Sequence, residues 1–284
     1  MEAATLARDT ETRIIALMMQ GTGLALDGQE APAAAAFDEA LALSQREDAL
    51  HRAATLINRT FLWRLRGDLQ GTESDLREAI ALGRELGHAQ VERWSVGQLA
   101  ECLHWMGRDA EALGLARRAH ELGVRFFGAH PVAVDAVLLA RVALALGDAR
   151  EARALLDWLD THCAPERTPP NTRALWRLVA LRVAEVESGT RDTSAWRALA
   201  DEAAPDTSGD ELTEVLHQAA VAAWGTGAWD EARQWLVRAR DTARASPLWR
   251  SRLDALAVDW EATPPPGPRG LPGNNPSPLP LSRG

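Results

Sequence analysis

Residues 91–122 read VERWSVGQLAECLHWMGRDAEALGLARRAHEL, two amphipathic segments separated by one glycine, Gly107. Apolar residues recur at helical spacing in both segments, which predicts one helix over Val91–Met106 and a second over Asp109–Leu122. Gly107 lies between them, where a residue that tolerates positive φ ends the first helix. The stretch therefore predicts a pair of helices joined by a tight turn.

The same pattern recurs along the chain at a nearly constant interval. The glycines that anchor it are Gly28, Gly67, Gly107 and Gly147, at spacings of 39, 40 and 40 residues. Mostly small residues stand at matched distances: seven before (Gly21, Thr60, Ala100, Ala140), five after (Ala33, Thr72, Ala112, Ala152) and twelve after (Ala40, Ala79, Ala119, Leu159). A period near 40 with small residues at helix crossings predicts an all-α, helical-repeat solenoid.

Two further repeats and a final helix complete the prediction of about six helix pairs. Gly227 restores the spacing in a sixth repeat, whereas the fifth, at about 171–204, is degenerate and follows Pro165, Pro169 and Pro170. In the fifth repeat, helices are expected over Leu175–Glu187, ending near Gly189, and over Ser194–Ala203. Ser246-Pro247 resembles an N-cap followed by the proline of a first helical turn, so Leu248–Ala262 is expected to be a capping helix.

The domain boundary is expected near residue 263. Residues 1–263 form the repeat domain in this interpretation, and 264–284, rich in proline and glycine, are expected to be a disordered tail. We expect that tail to be a linker-like end, although a ligand for an aromatic-groove domain is an alternative.

Composition excludes several classes of function. All 31 basic residues are arginine, so the lysine of a P-loop or of a Schiff-base enzyme is missing. The net charge of −9 disfavours nucleic acid as the main partner. Two cysteines form neither a disulfide framework nor a zinc site, and no signal peptide or membrane span is evident, so a cytoplasmic location is expected.

The repeated segments, such as GAWDEARQWLVRA from Gly227 and GDAREARALL from Gly147, resemble the tetratricopeptide repeat in its variant of about 40 residues. The resemblance covers residues from about 11 to 243. It implies that the first helices of the pairs line a concave surface that binds peptides or protein segments. Arrays of this type also resemble regulatory regions of bacterial signalling kinases and ATPases.

The family's two-carboxylate clamp is not expected here. Of its five positions, Asn58 alone carries the required residue, and the others hold Met18, Thr22, Trp94 and Gln98. Neither a catalytic motif nor a metal-binding motif is convincing; Cys102 and His104, for example, point to different sides of a helix. We therefore expect neither an enzyme nor a cofactor.

Seven residues are the best candidates for the partner-binding concave face. Most of the 11 tryptophans fall at core spacing, but Trp94 and Trp224 occupy positions that face the groove in this family. The candidate set is Arg64, Trp94, Glu101, His104, Arg141, His217 and Trp224. The function expected is a non-catalytic scaffold that binds a protein or peptide. The alternative is a sensory or regulatory module of a signalling kinase or ATPase system, possibly a fragment of a larger protein.

Overall fold

The computed structural model describes residues 2–44, 48–205, 207, 209–243 and 248–262. Within these ranges the chain is helical, and its elements follow one another as antiparallel pairs. The first four pairs are α1 (Glu2–Leu26) with α2 (Glu30–Leu43), α3 (Ala49–Arg66) with α4 (Leu69–Glu85), α5 (Ala89–Trp105) with α6 (Asp109–Phe126), and α7 (Ala129–Ala145) with α8 (Ala149–His162). After a 3₁₀ turn (Pro165–Arg167) come α9 (Pro170–Ser188) with α10 (Thr193–Ala203), α11 (Gly209–Thr226) with α12 (Trp229–Thr242), and α13 (Arg250–Ala262).

The described residues thus form the all-α helical-repeat solenoid that the spacing predicted, with six helix pairs and one further helix among them. The predicted anchor glycines end the first helices, with positive φ of 75–84° at Gly28, Gly67, Gly107, Gly147 and Gly227. At the second of these, Gly67 donates to the carbonyl of Arg64 at 3.1 Å, and Asp68 then caps α4 by accepting from the Gly71 amide at 2.7 Å. One glycine and one capping aspartate therefore turn the chain between two helices.

The small residues lie buried in the positions that the spacing indicated. Ala112, Ala152 and Ala232 are fully buried, as are Ala100 and Ala140 on the first helices. In the first pair, a Cβ added to Gly21 would lie 3.0 Å from the ring of Phe37, so the two helices approach closely there. The small residues that recur in the sequence therefore mark the positions where helices cross.

Boundaries differ from prediction in the fifth repeat and at the last helix. α9 begins five residues earlier than expected, at Pro170, because proline is well suited to a first helical turn, where its missing N–H is not needed. α13 begins at Arg250 rather than Leu248. The expected N-cap Ser246-Pro247 and the expected disordered tail at 264–284 lie outside the described residues.

α13 packs on the inner side of the array. Trp260 stacks on Trp224 of α11, with ring centroids 4.3 Å apart. Trp249, just before α13, is fully buried and lies 5.5 Å from the ring of His217. Arg252 donates to the carbonyl of His104 on α5 at 2.8 Å. The last helix therefore covers the inner face of α11 and reaches back to the third repeat.

Candidate functional site: the inner face

The first helices of the pairs, α1, α3, α5, α7, α9 and α11, form one side of the array, which we call the inner face. The side chains of α5 on this side begin with Trp94. Gln98, Glu101 and Trp105 follow it by four, seven and eleven residues, which places all four on the same side of the helix. The inner face carries two features: a buried group of charged side chains and an open cavity beside it.

The buried group, which we call the inner polar cluster, comprises Glu101, His104 and Trp105 of α5, Arg141 of α7 and Glu214 of α11. Arg141 donates from Nε to Oε1 of Glu214 at 2.9 Å and from Nη2 to Oε2, and its Nη1 donates to Glu101 at 2.7 Å. Trp105 Nε1 donates to Glu214 at 2.8 Å. His104 Nε2 lies 3.2 Å from the same carboxylate. Glu214 is thus surrounded by donors from two other repeats.

Charge pairing inside the cluster shifts the ionisation of its members. Burial alone would raise the pKa of Glu214, but the charges of Arg141 and His104 outweigh it and hold the pKa well below its ordinary value. Burial acts to lower the pKa of His104, yet the charge of Glu214 and hydrogen bonds to Asp109 and Glu214 raise it overall. The cluster therefore favours a negatively charged Glu214 against a positively charged Arg141.

A cavity of about 780 Å³, which we call the inner cavity, opens beside the cluster. The ends of α1, α3 and α5 form one wall and the first turn of α11 forms the opposite one. Its lining side chains of interest are Arg64, Glu101, Cys102, Trp105, Asp210 and Glu211. Arg64 pairs with Asp210 and its guanidinium carbon lies 5.5 Å from the ring centre of Trp105. The volume is that of a site for a side chain or a small ligand.

The cavity is lined by acidic side chains and by one cysteine, Cys102. Burial raises the pKa of the Cys102 thiol to about 11, so the thiol stays protonated and is a poor nucleophile. Burial, followed by the charge of Glu101, raises the pKa of Glu211. Within the described residues, no group of histidine, cysteine, aspartate and glutamate side chains has the arrangement of a metal site.

The seven predicted residues are distributed over three environments. Glu101, His104 and Arg141 meet in the inner polar cluster, and Arg64 lines the adjacent cavity. His217 is buried against Trp249, and Trp224 is half-buried under Trp260. Trp94 alone among the seven is an exposed large side chain, at 50%. The structure thus brings four of them together, and their role in binding a partner stays a prediction.

Trp94 belongs to a row of equivalent positions that sequence reasoning did not assemble. Thirteen residues before the anchor glycines stand Ile15, Ala54, Trp94 and Val134, which we call the apolar row. Ile15 and Val134 are exposed by 41% and 45%, and Ala54 is half-buried. Successive first helices are neighbours in the array, so the row crosses four repeats on the inner face. Three of its four side chains are exposed to solvent.

Glu214, Asp210 and Glu211 were also missed by sequence reasoning. Glu214 stands thirteen residues before Gly227, the same offset that defines the apolar row. Applying this offset to the sixth repeat would therefore have identified Glu214 from the sequence. Asp210 and Glu211 resemble ordinary first-turn acids of a helix, and no sequence signal distinguishes them from that role.

A second depression, of about 480 Å³, lies on the opposite side of the array between α10 and α12. Its charges pair with one another: Arg197 with Glu231 at 2.6 Å and Arg238 with Asp201 at 3.6 Å. These are exposed ion pairs of the outer helices, and they leave no charge that calls for a ligand.

In comparisons with known proteins, no family model matches the chain and no curated protein is significantly similar to it. Among the described helices, none is long and apolar enough to cross a membrane.

Proposed function

We propose that this chain is a non-catalytic scaffold that binds a protein or peptide on the inner face of a tetratricopeptide-like solenoid. The observation that carries the proposal is the apolar row, in which Ile15, Trp94 and Val134 are exposed at matched positions of three repeats. Isolated exposed apolar residues are common on proteins and need no explanation, but their recurrence at one position of neighbouring repeats supports a shared interaction surface.

The position of the row beside the inner cavity supports the same proposal. Gln98 and Glu101, one and two turns beyond Trp94 on α5, both line the cavity. A peptide that follows α5 from Trp94 toward the end of the helix would contact an apolar side chain first and the polar cavity next. The apolar side chains would contribute binding energy and the polar cavity would select the peptide's side chain, a combination that is common in peptide-binding grooves.

The proposal is tested by selecting peptides from a random 12-residue display library against the purified protein. Trp94→Ala is then expected to weaken the binding of selected peptides about tenfold, because a tryptophan at an interface centre contributes on the order of 1–2 kcal/mol or more. Phe126→Ala is the matched control, since Phe126 is a similarly exposed aromatic (52%) at the end of the outer helix α6.

Circular dichroism of both variants should equal that of the unmodified protein, so that any loss reflects the surface alone. If the library yields no binder, or if the two variants bind the selected peptides equally well, the inner face is not the binding surface.

A further inference from the structure

The inner cavity contains more negative than positive groups. Glu101, Asp210 and Glu211 line it, while Arg64 is the basic residue in its described lining. Glu101 is paired with Arg141 and Asp210 with Arg64. Glu211 has no ion pair among the described residues, and the amide of Asn171 donates to it at 3.3 Å. The cavity therefore contains a carboxylate, that of Glu211, with which Arg64 forms no ion pair.

Two buried carboxylate oxygens in the cavity wall have no hydrogen-bond partner among the described residues. They are Oδ1 of Asp210 and Oε2 of Glu211. Asp210 is only 4% exposed, and its other oxygen, Oδ2, is the one that pairs with Arg64. A buried polar atom without a partner is unfavourable, and more so when it carries charge, so both oxygens have unused capacity to accept hydrogen bonds.

The surrounding backbone adds to the negative potential. α1, α3 and α5 all end at the cavity, at Leu26, Arg66 and Trp105. A helix carries partial negative charge at its C-terminus, and that charge favours cations within the last turn. α11 presents the opposite, positive end, but its first turn carries the two acidic residues Asp210 and Glu211.

We propose that the inner cavity is a subsite for one positively charged side chain, a guanidinium or ammonium, of the peptide whose apolar anchor contacts Trp94. The inference rests on the proposed function and adds the chemistry of the partner. A planar guanidinium has several N–H donors, enough to reach Glu211 and the free oxygen of Asp210 together.

The spacing between row and cavity defines a motif in the partner. Trp94 and Glu101 are seven residues apart on α5, which corresponds to about 10 Å along the helix axis. An extended peptide covers that distance in about three residues. The bound segment should therefore carry an arginine or lysine about three positions from a large apolar residue.

The library selection described above tests the inference. Enriched peptides are expected to share an arginine or lysine at that spacing from an apolar residue. In the best binder, replacement of the basic residue by citrulline, which keeps the shape of arginine and removes its charge, should weaken binding to the unmodified protein at least tenfold. This arm needs no protein variant and so does not depend on how a variant folds.

A protein variant then assigns the charge to the cavity. Glu211→Gln should weaken the arginine peptide about tenfold, and the citrulline peptide should bind Glu211→Gln as well as it binds the unmodified protein. Glu121→Gln, which makes the same change on the outer helix α6, should bind like the unmodified protein. Asp210→Asn is less suitable, because it would leave Arg64 without its partner.

The outcomes separate this inference from the proposed function. Peptides that bind without a basic residue, yet lose affinity with Trp94→Ala, would overturn the cationic subsite and leave the scaffold intact. Arginine peptides that are insensitive to Glu211→Gln would also overturn it. A library without binders would overturn both.

Discussion

Arg141 on α7 donates hydrogen bonds to both carboxylate oxygens of Glu214 on α11, although 73 positions separate the two residues. In a simple solenoid each repeat contacts its neighbours alone. Here the sixth repeat contacts the third and fourth through one carboxylate, and α13 reaches the third repeat as well. The array is therefore closed on itself where α11 and α13 contact α3, α5 and α7.

The closure predicts a large cost for breaking the pair. Arg141→Met should destabilise the protein by about 3–5 kcal/mol, because Glu214 would remain buried without its main counter-charge. The double variant Arg141→Met with Glu214→Leu should recover part of that loss, since no uncompensated carboxylate remains. Urea denaturation followed by circular dichroism measures both. A double variant whose loss equals the sum of the two single losses would mean that the two residues are not coupled.

Buried histidine predicts a loss of stability on mild acidification. Burial, and then the charge of Arg252, lower the pKa of His217 from 6.5 to about 3; the charge of Glu214 opposes this shift, and those of Arg182 and His104 add to it. The unfolded chain takes up a proton on His217 as pH falls through 6.5, whereas the folded chain does not until about pH 3. The contribution of His217 to stability is therefore complete above pH 6.5 and declines below it.

The variant His217→Leu isolates this contribution. Its free energy of unfolding should fall less than that of the unmodified protein between pH 7 and pH 5. The comparison of variant with unmodified protein cancels the effect of His104, whose raised pKa works in the opposite direction. Equal losses in the two proteins would show that His217 is protonated alike in the folded and unfolded states.

The small residues that recur in each repeat lie where helices cross, so a large side chain at these positions should destabilise the fold. Ala112 and Ala152 are fully buried, so a tryptophan at either site should cost about 1–3 kcal/mol or more through overpacking. Ala110 is exposed two residues before Ala112 on the same helix, and Ala110→Trp should cost much less. Thermal melts of the three variants make the comparison. A similar drop in all three would contradict the alignment of the repeats.

The helix pairs could be predicted from the sequence alone, whereas the inner polar cluster could not. Glycine spacing and small residues predicted the pairs, since both depend on local geometry that one repeat specifies. The inner polar cluster was beyond reach, because the approach of α11 to α5 and α7 depends on small rotations summed over several repeats. Arg141 and His104 were therefore expected on a binding surface, and the structure places them in a buried network.

The tryptophans illustrate the same division. Trp94 and Trp224 hold groove-facing positions in their repeats, and the repeat pattern could not distinguish them further. Trp94 remains exposed, whereas Trp224 is covered by Trp260 from α13. The exposure of the two side chains differs because α13, a helix outside the repeats, packs over Trp224. The spacing of the repeats does not predict where α13 packs.

Photo-crosslinking tests the central claim, that the inner face binds the partner, most directly. A selected peptide would carry benzoylphenylalanine in place of its apolar anchor, and mass spectrometry would locate its attachment on the full-length protein. The account predicts attachment to the apolar row and the helices that bear it, within α1, α3, α5 and α7. Attachment confined to the outer helices α2, α4, α6 and α8 would contradict it.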